Sequence, residues 1–395
     1  DYDGYLDDLV GMGHNFMRLW AWEQSMGFPT LEAATMFGPH PFRRVGPALA
    51  NDGLPAFDLT QFDDAYFSRL RERVIAARDR GVYVAVMLFD GWSLDDKGVG
   101  PGNACPGHPF AAGNNVNGVD VDLNGDGFCE EAHTLADETV LGLQEQYVRR
   151  VVEEVGDLDN VLFEISNESP SNSQDWQAHM IKFIKDLRTD GPQQHLPVGF
   201  SVEFPGGDNA ELFASAAEWI APNDQGGYRD DPPPADGSKV VVLDTDHLWG
   251  VGGDGDWVWR AVTRGYNVLY MDCYGLEMDV CAGSTTDPDR ASALAAIGAA
   301  RAATTRIDLT EARPLPQRCS TGHCLIDDQG PDRTALVYAP TGGTIQLTAG
   351  AASVKWMLTD PLTGVVNANG TATADADGVI TITPPNQPSI LTTHG

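Results

Sequence analysis

The chain has 395 residues, 42% of them hydrophobic and 21% charged, so a sizeable core is possible and general disorder is excluded. A formal net charge of −32 repels phosphate backbones and anionic bilayers, which argues against nucleic acid as a partner. No apolar run is long enough to span a bilayer, so no membrane insertion is expected.

In chain order, YLDDLVGMG reads as a helix that leads into a strand, HNFMRLW (14–20). Phe67, Leu70, Val74 and Ala77 keep helical spacing before a second strand, VYVAVMLF (82–89). The third strand is NVLFEIS (160–166), followed by a helix whose spacing is set by Trp176, Met180, Phe183, Ile184 and Leu187. Further strands are LPVGFSVE (196–203), EWIAP (218–222), KVVVLDT (239–245) and NVLYMD (267–272). Strands alternating with amphipathic helices predict an α/β fold, a (β/α)8 TIM barrel over residues 1–309. Seven barrel strands are visible, and the missing first one is expected upstream of residue 1. From about residue 310 the texture changes to TALVYAP, TIQLTAG, SVKWMLTDPLTG and GVITITPP, strands and turns without helical period. This predicts a small β-sandwich over 310–395 that packs and stabilises the barrel.

The cysteines suggest three short-range pairs, Cys105 with Cys129, Cys273 with Cys281 and Cys319 with Cys324, among the 15 connectivities that six cysteines allow. Disulfides imply an oxidising compartment, hence a secreted or cell-surface protein.

Active sites of parallel barrels lie at the carboxyl ends of the strands. The stretch NVLFEISNESP ends its apolar run at Asn167 and Glu168, with Pro170 forbidding continuation. Glu168 is therefore a candidate catalytic carboxyl, and capping of the next helix is its structural alternative. KVVVLDTDHLWG supplies Asp244 and Asp246, on one face if the strand stays extended. Asp244 is expected within the strand, occupied with Arg18 or the Asn167 amide, and Asp246 nearer solvent as the partner of Glu168. Two carboxyls from different strands can serve glycosidic cleavage, retaining at about 5–5.5 Å and inverting at about 6.5–9.5 Å. Glu203 is a further partner or a hydrogen-bond acceptor for substrate. Trp20, Trp22, Trp92, Tyr228, Trp249 and Trp257 follow strand ends, where aromatic faces suit the C–H faces of sugars. Asp244, Asp246 and His247 could instead bind a metal, although adjacent residues on one strand point to opposite faces.

At these residues the chain resembles the glycoside hydrolases of clan A, whose barrels carry an Asn-Glu acid/base at the end of the fourth strand, here Asn167 and Glu168. Asn15 and Arg18 in GHNFMRLW are similar to that clan's second-strand arginine. The stretches RLWAWE, VMLFDGW, SNESP and DTDHLWGVGGDGDWVW look like a cellulase-like secreted bacterial subgroup. YAPTGG and WMLTDPLTG resemble a small β-domain described as collagen-binding. The resemblance implies hydrolysis of a polysaccharide or oligosaccharide, with Arg18, Asn167 and His247 near the substrate. It departs at the seventh strand, where the clan has a glutamate nucleophile and this chain has aspartates. The alternative is a carbohydrate-binding or structural surface protein on a barrel that has lost its nucleophile.

NGVDVDLNGDGFCEEAH (117–133) matches the first half of an EF-hand or dockerin-like calcium loop. Asp122, Asn124, Asp126, the Phe128 carbonyl and Glu130 fall at ligand positions, with Asp120 and Glu131 available to complete the shell. Position twelve is His133 in place of glutamate. A structural calcium is expected, in a loop stapled by Cys105 to Cys129 at the rim of the active face.

Overall fold

The structure, a computed structural model, describes residues 1–26, 37–95, 104–188, 196–250, 252–271, 287–329, 333–384 and 387–395. The chain opens with α1 (Tyr2–Gly11), β1 (Phe16–Leu19), the hairpin β2 (Phe42–Leu49) and β3 (Pro55–Phe62), then α2 (Asp64–Arg78) and β4 (Tyr83–Asp90). Next come α3 (Glu138–Val155), β5 (Val161–Asn167), α4 (Gln174–Arg188), β6 (Val198–Ser201), α5 (Asn209–Ala214) and β7 (Trp219–Ala221). β8 (Val240–Asp244), α6 (Thr245–Leu248), α7 (Gly255–Thr263), β9 (Asn267–Leu269) and α8 (Pro288–Thr304) follow. The strand-rich end comprises β10 (Arg313–Pro314), β11 (Cys324–Asp327), β12 (Thr334–Ala339), β13 (Ile345–Thr348), β14 (Ser353–Thr359), β15 (Val366–Thr373), β16 (Val379–Ile382) and β17 (Ser389–His394).

The hydrogen-bonded order β1-β4-β5-β6-β7-β8-β9 makes a seven-stranded α/β sheet of TIM-barrel type, parallel in the pairings from β1 to β6 and between β8 and β9. β4 and β5 are buried on both faces, as strands in a helix-covered parallel sheet must be. The seven strand runs expected from sequence are all present. The hairpin β2–β3 was not foreseen, because β2 is mostly exposed and shows no alternation.

Compact contacts divide the chain into two units, one of residues 16–220 and the other of 3–15 with 221–395. In the first, Phe67, Leu70, Val74 and Ala77 of α2 are buried as their spacing implies, as are Trp176, Met180 and Ile184 of α4. In the second, α8 meets the chain just beyond α1 at Gly298, where a Cβ would stand 2.0 Å from the Met12 carbonyl oxygen. The antiparallel order β10-β11-β12-β17-β14-β15, with the separate pair β13-β16, encloses a core that includes Val337, Leu347, Leu358 and Leu391. This β module docks on α7: Trp259 donates to the Pro361 carbonyl at 2.7 Å and stacks on Tyr338, whose hydroxyl donates to Asp256.

Part of the acidity has a local cause. α1, α2, α3, α5, α6, α7 and α8 each begin at an aspartate whose carboxylate accepts a backbone N–H of the first turn. Each such cap satisfies orphan donors and meets the positive end of the helix dipole, for about 1 kcal/mol. Disulfides Cys105–Cys129 and Cys319–Cys324 are formed. The Cys273–Cys281 pair lies outside the described residues. Among the described residues, no helix is long and apolar enough to cross a membrane.

Candidate active site

β5 carries the first group of candidate side chains. Glu164 is fully buried and takes a two-point salt bridge from Arg18 of β1, with Nε–Oε2 at 2.9 Å and Nη2–Oε1 at 2.7 Å. The same Nη2 reaches Asn167 Oδ1 at 2.8 Å, and the Ser201 hydroxyl of β6 donates to Glu164 Oε1. Arg18 and Asn167 are thus brought together, with Glu164 as the charge partner.

Glu168 follows at the carboxyl end of β5, 8% exposed, with φ at 45°. A non-glycine residue in this left-handed region costs about 1 kcal/mol or more and persists only where neighbours over-determine it. Those neighbours are visible. Gly91, just after β4, donates its N–H to the Asn167 carbonyl at 2.7 Å. A Cβ on Gly91 would lie 2.2 Å from Ser169 Cα and 2.8 Å from the Glu168 carbonyl oxygen, so only glycine admits this approach. From the other side the Phe204 N–H donates to the Ser169 carbonyl at 3.1 Å.

A second group, which sequence reasoning missed, lies beneath Ser169. The Ser169 hydroxyl is 3.0 Å from His133 Nδ1, and His133 Nε2 is 3.0 Å from Glu23 Oε1. His108 Nε2 stands 3.2 Å from Glu23 Oε2, and the Asp90 N–H donates to Glu23 Oε1 at 2.7 Å. Burial alone would raise the Glu23 carboxyl, but charge and hydrogen bonds from His133 and His108 outweigh it and hold it at about 2. The available signal was Glu23 itself, a carboxylate in the apolar stretch RLWAWE just beyond a strand.

Of the aromatic candidates in the first unit, Trp20 is 41% exposed, with the Arg18 guanidinium 5.5 Å from its ring centre and Trp22 at 6.2 Å. Trp92 stacks on Phe204 at 6.0 Å. Glu203 is buried, with Gln177 Nε2 donating to its Oε1 at 3.2 Å.

In the second unit, β8 ends at Asp244, which is buried, and residues 245–248 turn into α6. The extended continuation that would align Asp244 with Asp246 is therefore replaced by a helical turn. Asp244 Oδ1 accepts the Asp246 N–H at 3.0 Å as the N-cap of α6, and Asp246 and His247, both half-buried, are neighbours on that turn. The opposite-face reasoning for an Asp-His pair on a strand does not apply to them. Trp249 packs edge-on against Trp257 at 4.8 Å. Tyr228 is buried against Tyr266, and Trp257, also buried, donates to the Tyr228 carbonyl at 3.1 Å, which gives both residues packing roles.

The acidic loop 120–131 is folded on its own carboxylates. Asp122 accepts the N–H groups of Gly125 and Asp126 with Oδ1 and of Gly127 with Oδ2, Asn124 accepts from Asp126, and Asp126 from Phe128. Asp120 accepts from Ala112 and Asp122. Burial and the nearby charges of Asp126 and other carboxylates raise both Glu130 and Glu131, and one oxygen of each has no hydrogen-bond partner among the described residues. This oxygen-rich, mutually repelling set fits a hard cation such as calcium. His133, at position twelve, turns away to Ser169 and Glu23.

No family model matches the chain, and no curated protein matches it. Its fold is similar to that of solved structures. A glycoside hydrolase family 5 structure from Bacteroides vulgatus ATCC 8482 aligns with TM-score 0.61 at 11% identity, covering 100% of this chain and 85% of that one. A structure titled glycoside hydrolase gives 0.58 at 12%, covering 100% and 88%. The α-amylase of Geobacillus thermoleovorans, complexed with acarbose, gives 0.53 at 13%, covering 100% and 92%.

Proposed function

We propose that the chain is an extracellular glycoside hydrolase that cleaves glycosidic bonds in a polysaccharide or oligosaccharide with two carboxyl groups. The observation that carries this reading is Glu168: an acid at the carboxyl end of a buried parallel strand, held in a left-handed turn beside the Arg18–Glu164–Asn167 network. Support comes from the likeness in fold to structures titled as glycoside hydrolases and from the exposed Trp20 beside Arg18. The two disulfides support export.

Glu168 gives its proton to the glycosidic oxygen as the C1–O bond breaks, and a second carboxylate compensates the charge that develops at C1. Asp246 takes that role, because the Asp244 carboxylate is engaged in capping α6. With attack by Asp246 on C1, a covalent glycosyl-enzyme forms and water then releases the sugar with retention, Glu168 acting as base. Asn167 and Arg18 order the acid turn. The acidic loop holds a structural calcium through Asp122, Asn124, Asp126, the Phe128 carbonyl, Glu130 and Glu131, with Asp120 bracing its start.

A panel of polysaccharides and oligosaccharides, incubated with wild type and Glu168→Gln, tests the reading. Hydrolysis by wild type and at least a hundredfold loss in the variant are expected, in keeping with the roughly 10²–10⁴-fold contribution of a general acid. Equal rates would remove Glu168 from the mechanism. Binding of glycans without hydrolysis by wild type would favour a carbohydrate-binding protein on a hydrolase-like barrel.

A further inference from the structure

Ser169, His133 and Glu23 stand in the order of a serine–histidine–carboxylate relay, both links 3.0 Å long. Ser169 is only 1% exposed and His133 is fully buried, so no substrate carbonyl can reach the hydroxyl and nucleophilic attack is excluded. The relay is nonetheless heavily built. The His133 ring lies flat on Trp176, with centroids 4.0 Å apart and planes at 7°, and Phe89 meets its edge. Trp176 Nε1 donates to Gln144, whose amide in turn donates to the Ala132 carbonyl, so α3 and α4 fix both the ring plane and the segment bearing it. Glu23 holds the far end and, through the Asp90 N–H, the end of β4 beside Gly91.

We propose that Glu23, His133 and Ser169 are positioning residues for Glu168: the relay clamps the backbone immediately after the left-handed residue and so fixes the direction in which the acid presents its proton. The inference rests on the reading of Glu168 as acid/base. The hydrogen bond between the Ser169 hydroxyl and the imidazole pins one side of the residue 168–169 peptide, and Gly91 and Phe204 pin the backbone around it. His133 also lies two residues beyond Glu131, which ties the acidic loop to the same clamp.

The test uses the leaving-group dependence of kcat/KM, because a glycoside with a good leaving group departs without protonation and one with a poor leaving group does not. Ser169→Ala and His133→Asn are compared with wild type on phenyl and 2,4-dinitrophenyl glycosides of the sugar found by hydrolysis screening, with Glu168→Ala in parallel. Both relay variants are expected to lose about tenfold or more on the phenyl glycoside and less than about threefold on the dinitrophenyl glycoside. A general loss of fold would lower both alike and overturn the proposal. If Glu168→Ala shows the leaving-group pattern and the relay variants do not, the relay proposal fails while the acid stands. If Glu168→Ala lacks the pattern, the acid reading itself fails. Hydrogen exchange supplies a readout without substrate: faster exchange across residues 164–172 in Ser169→Ala at unchanged melting temperature is expected, and wild-type exchange there overturns the clamp.

Discussion

Replacing Glu203 by glutamine should make the protein more stable in alkali and leave it almost unchanged in mild acid. Glu203 lies two residues beyond β6 and is 1% exposed; its Oε2 has no hydrogen-bond partner among the described residues, and neither does Gln177 Oε1. A proton on the carboxyl supplies a donor where two acceptor atoms lack one. Burial, with a smaller push from the Glu211 charge, raises the carboxyl from 4.5 to about 7. The unfolded chain ionises near 4.5, so the native state binds the extra proton between these values. The resulting stability is therefore fully present below pH 4.5 and is lost as pH rises through 7. At about 1.4 kcal/mol per pH unit the separation corresponds to about 3 kcal/mol. Glu203→Gln keeps the shape and the acceptor for Gln177 and never ionises. Urea unfolding should find the variant within about 1 kcal/mol of wild type at pH 5 and about 2–3 kcal/mol more stable at pH 8. An equal difference at both pH values would refute the reasoning.

Glu164→Gln should cost about 3 kcal/mol in urea unfolding, because the attraction at 2.7 Å, about 6 kcal/mol at an effective dielectric constant of 20, no longer offsets burial of the Arg18 charge. The double variant Arg18→Met with Glu164→Leu should recover much of that loss, and a single-variant cost below about 1 kcal/mol would contradict this account. Gly91→Ala must push back the Ser169 backbone, so a stability loss of about 1–3 kcal/mol and a fall in glycan hydrolysis are expected; wild-type melting and rates would show that the turn has room. Calcium at a hundred times its dissociation constant should add about 2.7 kcal/mol, and identical melting curves with calcium and with chelator would exclude the loop as its site.

The barrel strands were legible because each is an apolar run flanked by helices of clear period, and buried parallel strands need little else. The hairpin of β2 and β3 was not, since its exposed strand contains Gly46 and Pro47 and carries no alternation. Asp244 and Asp246 show how register depends on a single backbone choice. Their spacing suits one strand face, but an aspartate followed by a residue free to turn is also a helix cap, and here the cap wins. Part of the chain's acidity is the same device repeated at other helices. Glu23, His133 and Ser169 were illegible as a group because more than a hundred residues separate the first two, and only packing of α3 and α4 joins them. His133 carried a partial signal, as the residue that broke the calcium pattern.

Why a buried strand should end in Asn-Glu has a geometric answer. On a regular strand, residues three apart point to opposite faces. Yet Glu164 and Asn167 both reach the same nitrogen of Arg18, at 2.7 and 2.8 Å, while Asn167 is still paired with Asp90 as the last residue of β5. The chain then enters the left-handed region at Glu168, and Pro170, which has no N–H to offer a neighbour, prevents a return to the ladder. A glycine at 168 would remove the backbone cost and the carboxyl together, so the strain at this position comes with the glutamate. The same unit holds Glu23 at about 2 and pushes Glu203 up to about 7. At neutral pH the histidines thus keep Glu23 ionised, whereas burial leaves Glu203 divided between its protonated and ionised forms. Glu168 itself stands between these two groups along the same unit, held at the carboxyl end of β5 by the Gly91 N–H on the Asn167 carbonyl and the Phe204 N–H on the Ser169 carbonyl.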